Sequence, residues 1–223
     1  ARGDEQVVVT RACAPGENVR DAGLDLATGE VAGEAGRALT PHDLALLAAL
    51  GLARPTVGRR PHVALISTGD ELLPPEAALK PGAIRDSNLP MLEALINECG
   101  GRVVSAKRVG DDPALVGAQV RAALGKADVV ITIGGVSAGD FDPVKIAIAE
   151  LDGVELWRVA MRPGQPQAFG APEGRLFFGL PGNPASVACV FEALVRPALR
   201  SLQGFATLDR PRIEARAAVA IES

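Results

Sequence analysis

The sequence predicts an α/β protein: a three-layer domain with a mainly parallel sheet, preceded by a small α+β segment and followed by the start of a β domain. Three observations lead there. Between residues 62 and 206, short apolar runs alternate with longer runs at helical spacing, the rhythm of βαβ units. The stretch after Asp128, through Ile133, is continuously apolar, as in a strand covered on both faces. Helix starts are marked by a capping residue followed by proline, at Thr40-Pro41, Asp112-Pro113 and Asp142-Pro143.

Taken in order, residues 1–55 read as short strands broken by glycine turns and closed by one helix. Thr40 caps that helix, Leu44, Leu47 and Leu50 form its stripe, and Gly51 stops it. Arg54–Pro61 reads as a linker. His62–Ser67 is an apolar strand. Asn88–Cys99 is a helix with Leu89, Leu92, Leu95, Ile96 and Cys99 on one side and Gly100-Gly101 at its end. Arg102–Val109 is a strand. Asp112 opens a helix through Leu115, Val116, Val120 and Leu124. After the buried strand, Asp142-Pro143 opens another helix, through Ile146 and Leu151. Shorter strands are expected near Val154–Ala160 and Arg175–Gly179. A last helix spans about Ala185–Ser201, with a kink expected at Pro197. The domains are therefore drawn as 1–55 (a partial, β-rich linker or dimerisation segment with one helix), 56–206 (the α/β domain) and 207–223 (the start of a truncated β domain). Both ends fall inside alternating runs, so a fragment of a longer protein is expected.

The chain has 223 residues, nearly half of them apolar, and a net charge of −4. No basic run offers a nucleic-acid backbone its counter-charge, so no nucleic-acid partner is expected. Cys13, Cys99 and Cys189 are too scattered for a disulfide framework or zinc site. Cys99 and Cys189 are read as core thiols. No apolar stretch nears the ~18 residues of a membrane span, and no signal peptide is visible. A cytoplasmic protein is expected.

In parallel α/β sheets ligands sit beyond the carboxyl ends of the strands, so the loops there carry the chemistry. Ser67-Thr68-Gly69-Asp70-Glu71-Leu72 places two acids in a turn. In Gly110-Asp111-Asp112-Pro113, Asp112 serves as a helix cap, which leaves Asp111 without a structural task. Gly134-Gly135-Val136-Ser137-Ala138-Gly139-Asp140-Phe141-Asp142-Pro143-Val144-Lys145 offers a glycine cradle for an anion, and Asp142 is either a cap or a cation ligand. Arg158 and Arg162 stand four residues apart, as two same-facing residues of a strand would, and suit an oxyanion or phosphate. Walker A, GxGxxG and GxSxG patterns are absent, and His42 and His62 support no triad. These residues define an anion-binding α/β domain with a divalent metal.

Six motifs in order, the three loop motifs just quoted together with Asp86-Ser87-Asn88, Arg162-Pro163-Gly164 and Leu180-Pro181-Gly182-Asn183-Pro184, resemble the molybdopterin molybdenumtransferases, the family of bacterial MoeA and the gephyrin E domain. Asn18-Val19-Arg20 and Gly23-Leu24-Asp25-Leu26 extend the resemblance. It implies insertion of molybdate into adenylylated molybdopterin with release of AMP, assisted by Mg²⁺, in a homodimer. It also implies catalytic roles for Glu71, Asp111, Asp142 and Asp25. Substrate contacts are implied at Arg20, Thr68, Asp86, Gly134, Gly135, Ser137, Lys145, Arg158, Arg162, Pro181 and Asn183, and Mg²⁺ ligation at Asp111 and Asp142. Where relatives carry lysines, Arg158 and Arg162 keep the charge and Gln165 loses it. The competing readings are a molybdopterin adenylyltransferase, a competence-damage-like nucleotide pyrophosphatase, and a scaffold that binds a partner peptide. Aromatic residues are only 3% of the chain, which gives the scaffold no apolar docking patch.

Overall fold

The computed structural model describes residues 2–3, 6–136 and 143–219. The chain forms two compact units, residues 1–34 with 39–55, and residues 35–38 with 56–223.

In the first unit β1 (Arg2–Gly3) and β2 (Gln6–Val7) pair antiparallel, and α1 spans Pro41–Ala49. The segment between them consists of turns, so ladder pairing among the described residues here is confined to β1 and β2. The Thr40-Pro41 signal works as expected. Thr40 Oγ1 accepts from Asp43 N, and the Asp43 carboxylate accepts from Thr40 N at 2.7 Å, so two otherwise orphaned N–H groups at the helix start are satisfied reciprocally.

The second unit is built on one sheet. Its strands are β3 (His62–Thr68), β6 (Arg102–Val109), β7 (Val129–Ile133), β8 (Val154–Arg158), β9 (Pro166–Gly170) and β10 (Leu176–Leu180), in the order β6-β3-β7-β10-β9-β8. Neighbours from β6 to β10 run parallel. β9 is antiparallel to both β10 and β8, which returns β8 to the common direction. A short parallel pair, β4 (Leu72–Leu73) and β5 (Ile84–Arg85), lies in the connection after β3. β9 has no counterpart in the sequence reading. It opens on Pro166, follows a proline-rich turn and ends on Gly170, a composition that masks strand character.

The helices α2 (Asn88–Glu98), α3 (Pro113–Leu124), α4 (Pro143–Ala149), α5 (Pro184–Val190) and α6 (Arg196–Leu202) cover the sheet. Side-chain alternation assigns the two faces. Val63 and Leu65, with Val129, Ile131 and Ile133, pack with Leu92 and Ile96 of α2 and with Val187, Val190 and Leu199 of α5 and α6. Ala64, Ile66 and Val130 point the other way, against Val116, Val120 and Leu124 of α3 and Val144 and Ile148 of α4. β7 is therefore buried along its whole length, as its unbroken apolar run requires. Losing a fully buried Leu such as Leu92 costs about 2–5 kcal/mol.

The last helix departs from regularity just before Pro197. Residues Phe191–Val195 form a π turn, and Arg196 N–H reaches back five residues to the Phe191 carbonyl. Proline removes one bond of the ladder, and the wider turn absorbs the mismatch. Cys99 packs against the core, where burial pushes its thiol above the ordinary value. Cys189 is exposed rather than buried, because the inward face of α5 is carried by Ser186, Val187 and Val190.

The amino edge of the sheet is tied by charge. Asp128, just ahead of β7, accepts two bonds from Arg59 at 2.8 and 2.9 Å, one from Arg175 at 3.1 Å and one from His62 N at 2.7 Å. The carboxyl edge is left for the site.

Candidate functional site

At the carboxyl edge the loops after β3, β6, β7 and β10 meet around an open cleft of about 750 Å³. Its wall includes Ser67, Thr68, Gly69, Glu71, Asp86, Asn88, Asp111, Gly134, Gly135, Gly182 and Pro184. Glycines allow this convergence. Gly134 has φ +86°, and a Cβ there would stand 3.0 Å from the Thr68 carbonyl oxygen. A Cβ on Gly182 would lie 3.7 Å from Gly134 Cα, so two loops approach backbone to backbone. Gly134 N–H donates to the Leu180 carbonyl at 3.0 Å, and Thr68 Oγ1 donates to the Ile133 carbonyl at 3.2 Å.

Asp86 opens α2. Its Oδ1 accepts from Asn88 N at 3.0 Å and Leu89 N at 3.1 Å. Asn88 Nδ2 crosses to the Gly182 carbonyl at 2.8 Å. Asp86 Oδ2, Asn88 Oδ1 and Ser67 Oγ are buried with no partner among the described residues, so the floor of the cleft holds unspent hydrogen-bonding capacity.

On the other rim, Asp112 does what its position before proline implies, accepting from Ala114 N at 2.8 Å to cap α3. Asp111 is engaged with Asp70. Asp111 N donates to Asp70 Oδ1 at 3.1 Å, and Asp70 N donates to Asp111 Oδ2 at 3.4 Å. Among the described charged residues of the cleft wall, three carboxylates (Glu71, Asp86, Asp111) stand with one guanidinium, Arg85.

The cleft thus gathers Thr68, Glu71, Asp86, Asp111, Gly134 and Gly135 from the expected set. Ser137 and Asp142 lie outside the described residues. Asn183 and Pro181 flank the cleft residue Gly182, and Asn183 is spent on capping α5, its side chain accepting from Ala185 N at 2.9 Å and Ser186 N at 3.3 Å. Lys145 lies on α4 and is not among the cleft residues. Arg20 and Asp25 belong to the first unit, where they pair with each other at 2.6 Å with both side chains largely exposed.

Arg158 and Arg162 reach the same sheet edge but not the cleft wall. β8 ends at Arg158, so the expectation that both face one side of a continuous strand is corrected: Arg162 sits in the turn that leads to β9. That turn is held from within. Gln167 is buried, and its Nε2 donates to the Gly164 carbonyl at 2.7 Å and contacts Met161 Sδ at 3.2 Å. Gln165 accepts from Arg158 at 3.1 Å, a bond no lysine at position 165 would accept.

Sequence reasoning quoted Asp70 and Asn88 within motifs but gave them no role, and it did not reach Gln167. Asn88 signals itself weakly as a polar residue heading an apolar helix. Asp70 and Gln167 matter through residues distant in sequence, which a linear reading does not reveal.

A mainly parallel α/β sheet with its cleft at the carboxyl edge, floored by glycines and rimmed by acids, has the layout in which α/β domains hold small ligands. The family model described as "Probable molybdopterin binding domain" matches residues 64–201, and the chain belongs to this molybdopterin-binding family. The model for the MoeA N-terminal region, domains I and II, matches residues 1–51. The chain is 41% identical over 215 residues to molybdopterin molybdenumtransferase 2 of Mycobacterium tuberculosis, covering 94% of this chain and 53% of that protein. It is 39% identical over 197 residues to the molybdopterin molybdenumtransferase of Haemophilus influenzae, covering 88% and 49%. The crystal structure of the molybdopterin biosynthesis MoeA protein from Pyrococcus horikosii superposes with a TM-score of 0.73 at 37% identity, covering 82% of this chain and 45% of that one. The chain spans about half the length of the curated relatives it matches.

Proposed function

We propose that this chain forms the pterin- and nucleotide-handling half of a molybdopterin molybdenumtransferase, which takes adenylylated molybdopterin and molybdate, leaves molybdenum on the pterin dithiolate and releases AMP. The observation that carries this reading is the cleft itself, in which loops from separate parallel strands bring a glycine floor against a wall whose described residues include three carboxylates and one arginine. An adenylylated pterin is a polyanion, and so acidic a wall accepts one only with a counter-cation. That need, and the hard oxygen donors at the rim, fit Mg²⁺, which uses one or two carboxylates and completes its shell with phosphates and water. Asp111 would hold the ion, with Asp142 as its expected second ligand, and the ion would neutralise phosphate oxygens during cleavage.

The chain's own groups take the remaining tasks. Gly134 N–H is already committed to Leu180, so the anion contact of the cradle falls to Gly135. Glu71 faces the cleft as an acceptor for water or a pterin donor. Arg158 and Arg162, at the same sheet edge but off the cleft wall, provide an outlying anion site for molybdate. On the first unit, Arg20 is assigned to substrate binding and Asp25 to catalysis. The full protein is assigned to the cytoplasm as a homodimer, and no helix among the described residues is long and apolar enough to cross a membrane.

The test is release of AMP from adenylylated molybdopterin with and without molybdate. Molybdate-stimulated release supports the transferase. Release indifferent to molybdate assigns the chain to a nucleotide pyrophosphatase instead, and formation of the adenylylated pterin from ATP would make it an adenylyltransferase.

A further inference from the structure

We propose that Asp70 is a positioning residue for Asp111, holding the Asp111 loop in the orientation in which its carboxylate meets a divalent cation; this rests on the reading of Asp111 as the residue that holds the cation. The two loops are laced by three bonds across the sheet edge. Gly69 N donates to the Val109 carbonyl at 3.1 Å, Asp111 N to Asp70 Oδ1 at 3.1 Å, and Asp70 N to Asp111 Oδ2 at 3.4 Å. The next residue, Asp112, is committed to the cap of α3 at 2.8 Å. Asp111 therefore lies between two anchors, the helix start on one side and Asp70 on the other.

Gly110 fits the same arrangement. A Cβ there would stand 2.5 Å from Asp70 Oδ1. Gly110 is not among the residues with positive φ, so its backbone does not demand glycine. A side chain at this position would displace the Asp70 carboxylate from its bond to Asp111 N. Asp70 also stands apart from its neighbours: Gly69, Glu71 and Asp111 line the cleft and Asp70 does not. Its side chain is spent on the adjoining loop, which is the placement of a group acting through another residue. Partners that orient a metal-holding carboxylate typically change metal affinity 10–100-fold when removed.

The test compares Asp70→Ala with Asp70→Asn in the 223-residue chain, using Mn²⁺ as the probe and electron paramagnetic resonance to count free ion. Both variants remove the same charge, but asparagine keeps an oxygen that can accept from Asp111 N. The expected result is Mn²⁺ affinity weakened about 10–100-fold in Asp70→Ala and largely retained in Asp70→Asn. Hydrogen exchange at the Asp111 amide gives a readout free of metal: it should accelerate in Asp70→Ala and stay slow in Asp70→Asn. Equal affinities in the two variants, whether both weak or both like the parent, would overturn the proposal, because the effect would then follow charge or nothing. Asp111→Ala separates the underlying reading. If it binds Mn²⁺ like the parent, Asp111 does not hold the cation, whatever the Asp70 variants do. If it abolishes binding while the two Asp70 variants match, only the positioning role fails.

Discussion

Asn88 donates its side-chain N–H to the Gly182 carbonyl at 2.8 Å, across 94 positions of sequence. This bond joins the start of α2 to the loop after β10, and Gly182 in turn lies against Gly134. The floor of the cleft is therefore held by one side chain reaching between two loops. Asn88→Leu would leave that carbonyl without its donor. The expected cost is about 1–3 kcal/mol, read as a lower urea midpoint. Asn88→Asp also lacks the donor and should be no more stable than Asn88→Leu. An Asn88→Leu variant with the parent's midpoint would show that the bond contributes nothing.

Asp128 predicts a pH dependence at the opposite edge of the sheet. The bonds from Arg59, foremost, and from His62 N hold its carboxyl below the ordinary carboxylate range, against the opposing effect of burial. A group whose pKa is depressed by folding contributes stability that is full above its unfolded pKa, near ~3.9, and is lost as the pH falls through that value toward the folded one. The guanidiniums face solvent, so the contribution is discounted to about 1 kcal/mol. Urea unfolding from pH 7 to pH 3 should show the parent and Asp128→Asn differing at neutral pH and converging below about pH 4. A gap that persists undiminished at pH 3 would rule out this carboxylate as its source.

The turn that carries Arg162 separates a structural from a binding role. Gln167→Met keeps length but leaves the Gly164 carbonyl unpaired, so about 1–3 kcal/mol of stability should be lost along with some anion affinity. Arg162→Ala should leave stability unchanged and weaken molybdate or pterin binding about tenfold to a hundredfold, the value of one charged hydrogen bond. Molybdate and pterin titrations of both variants at fixed ionic strength, beside urea curves, check the pair. Unchanged affinity for both ligands in Arg162→Ala would remove that arginine from the anion site.

The layers of the fold were legible because burial imposes periodicity. The apolar run into Ile133, the stripes of α2 and α3 and the capping residues Thr40 and Asp112 each carry a local signal that the structure repeats. β9 was not legible because Pro166 and Gly170 bracket it, and the exposure of Cys189 was not because the choice of inward face on α5 is made by its neighbours. At the cleft, the acids and glycines could be found one by one, since strand-to-helix loops gather at one edge. Asp70 and Asp111 are 41 residues apart, and only the folded chain shows that each carboxylate accepts the other's backbone N–H.

The transferase assignment is tested by AMP release from adenylylated molybdopterin, measured with and without molybdate, by the parent and by Asp111→Ala. Release should rise with molybdate in the parent and fall at least about 100-fold in the variant, the scale of losing one electrostatic group at the reacting phosphate. Release that ignores molybdate, or an Asp111→Ala variant as active as the parent, would contradict it.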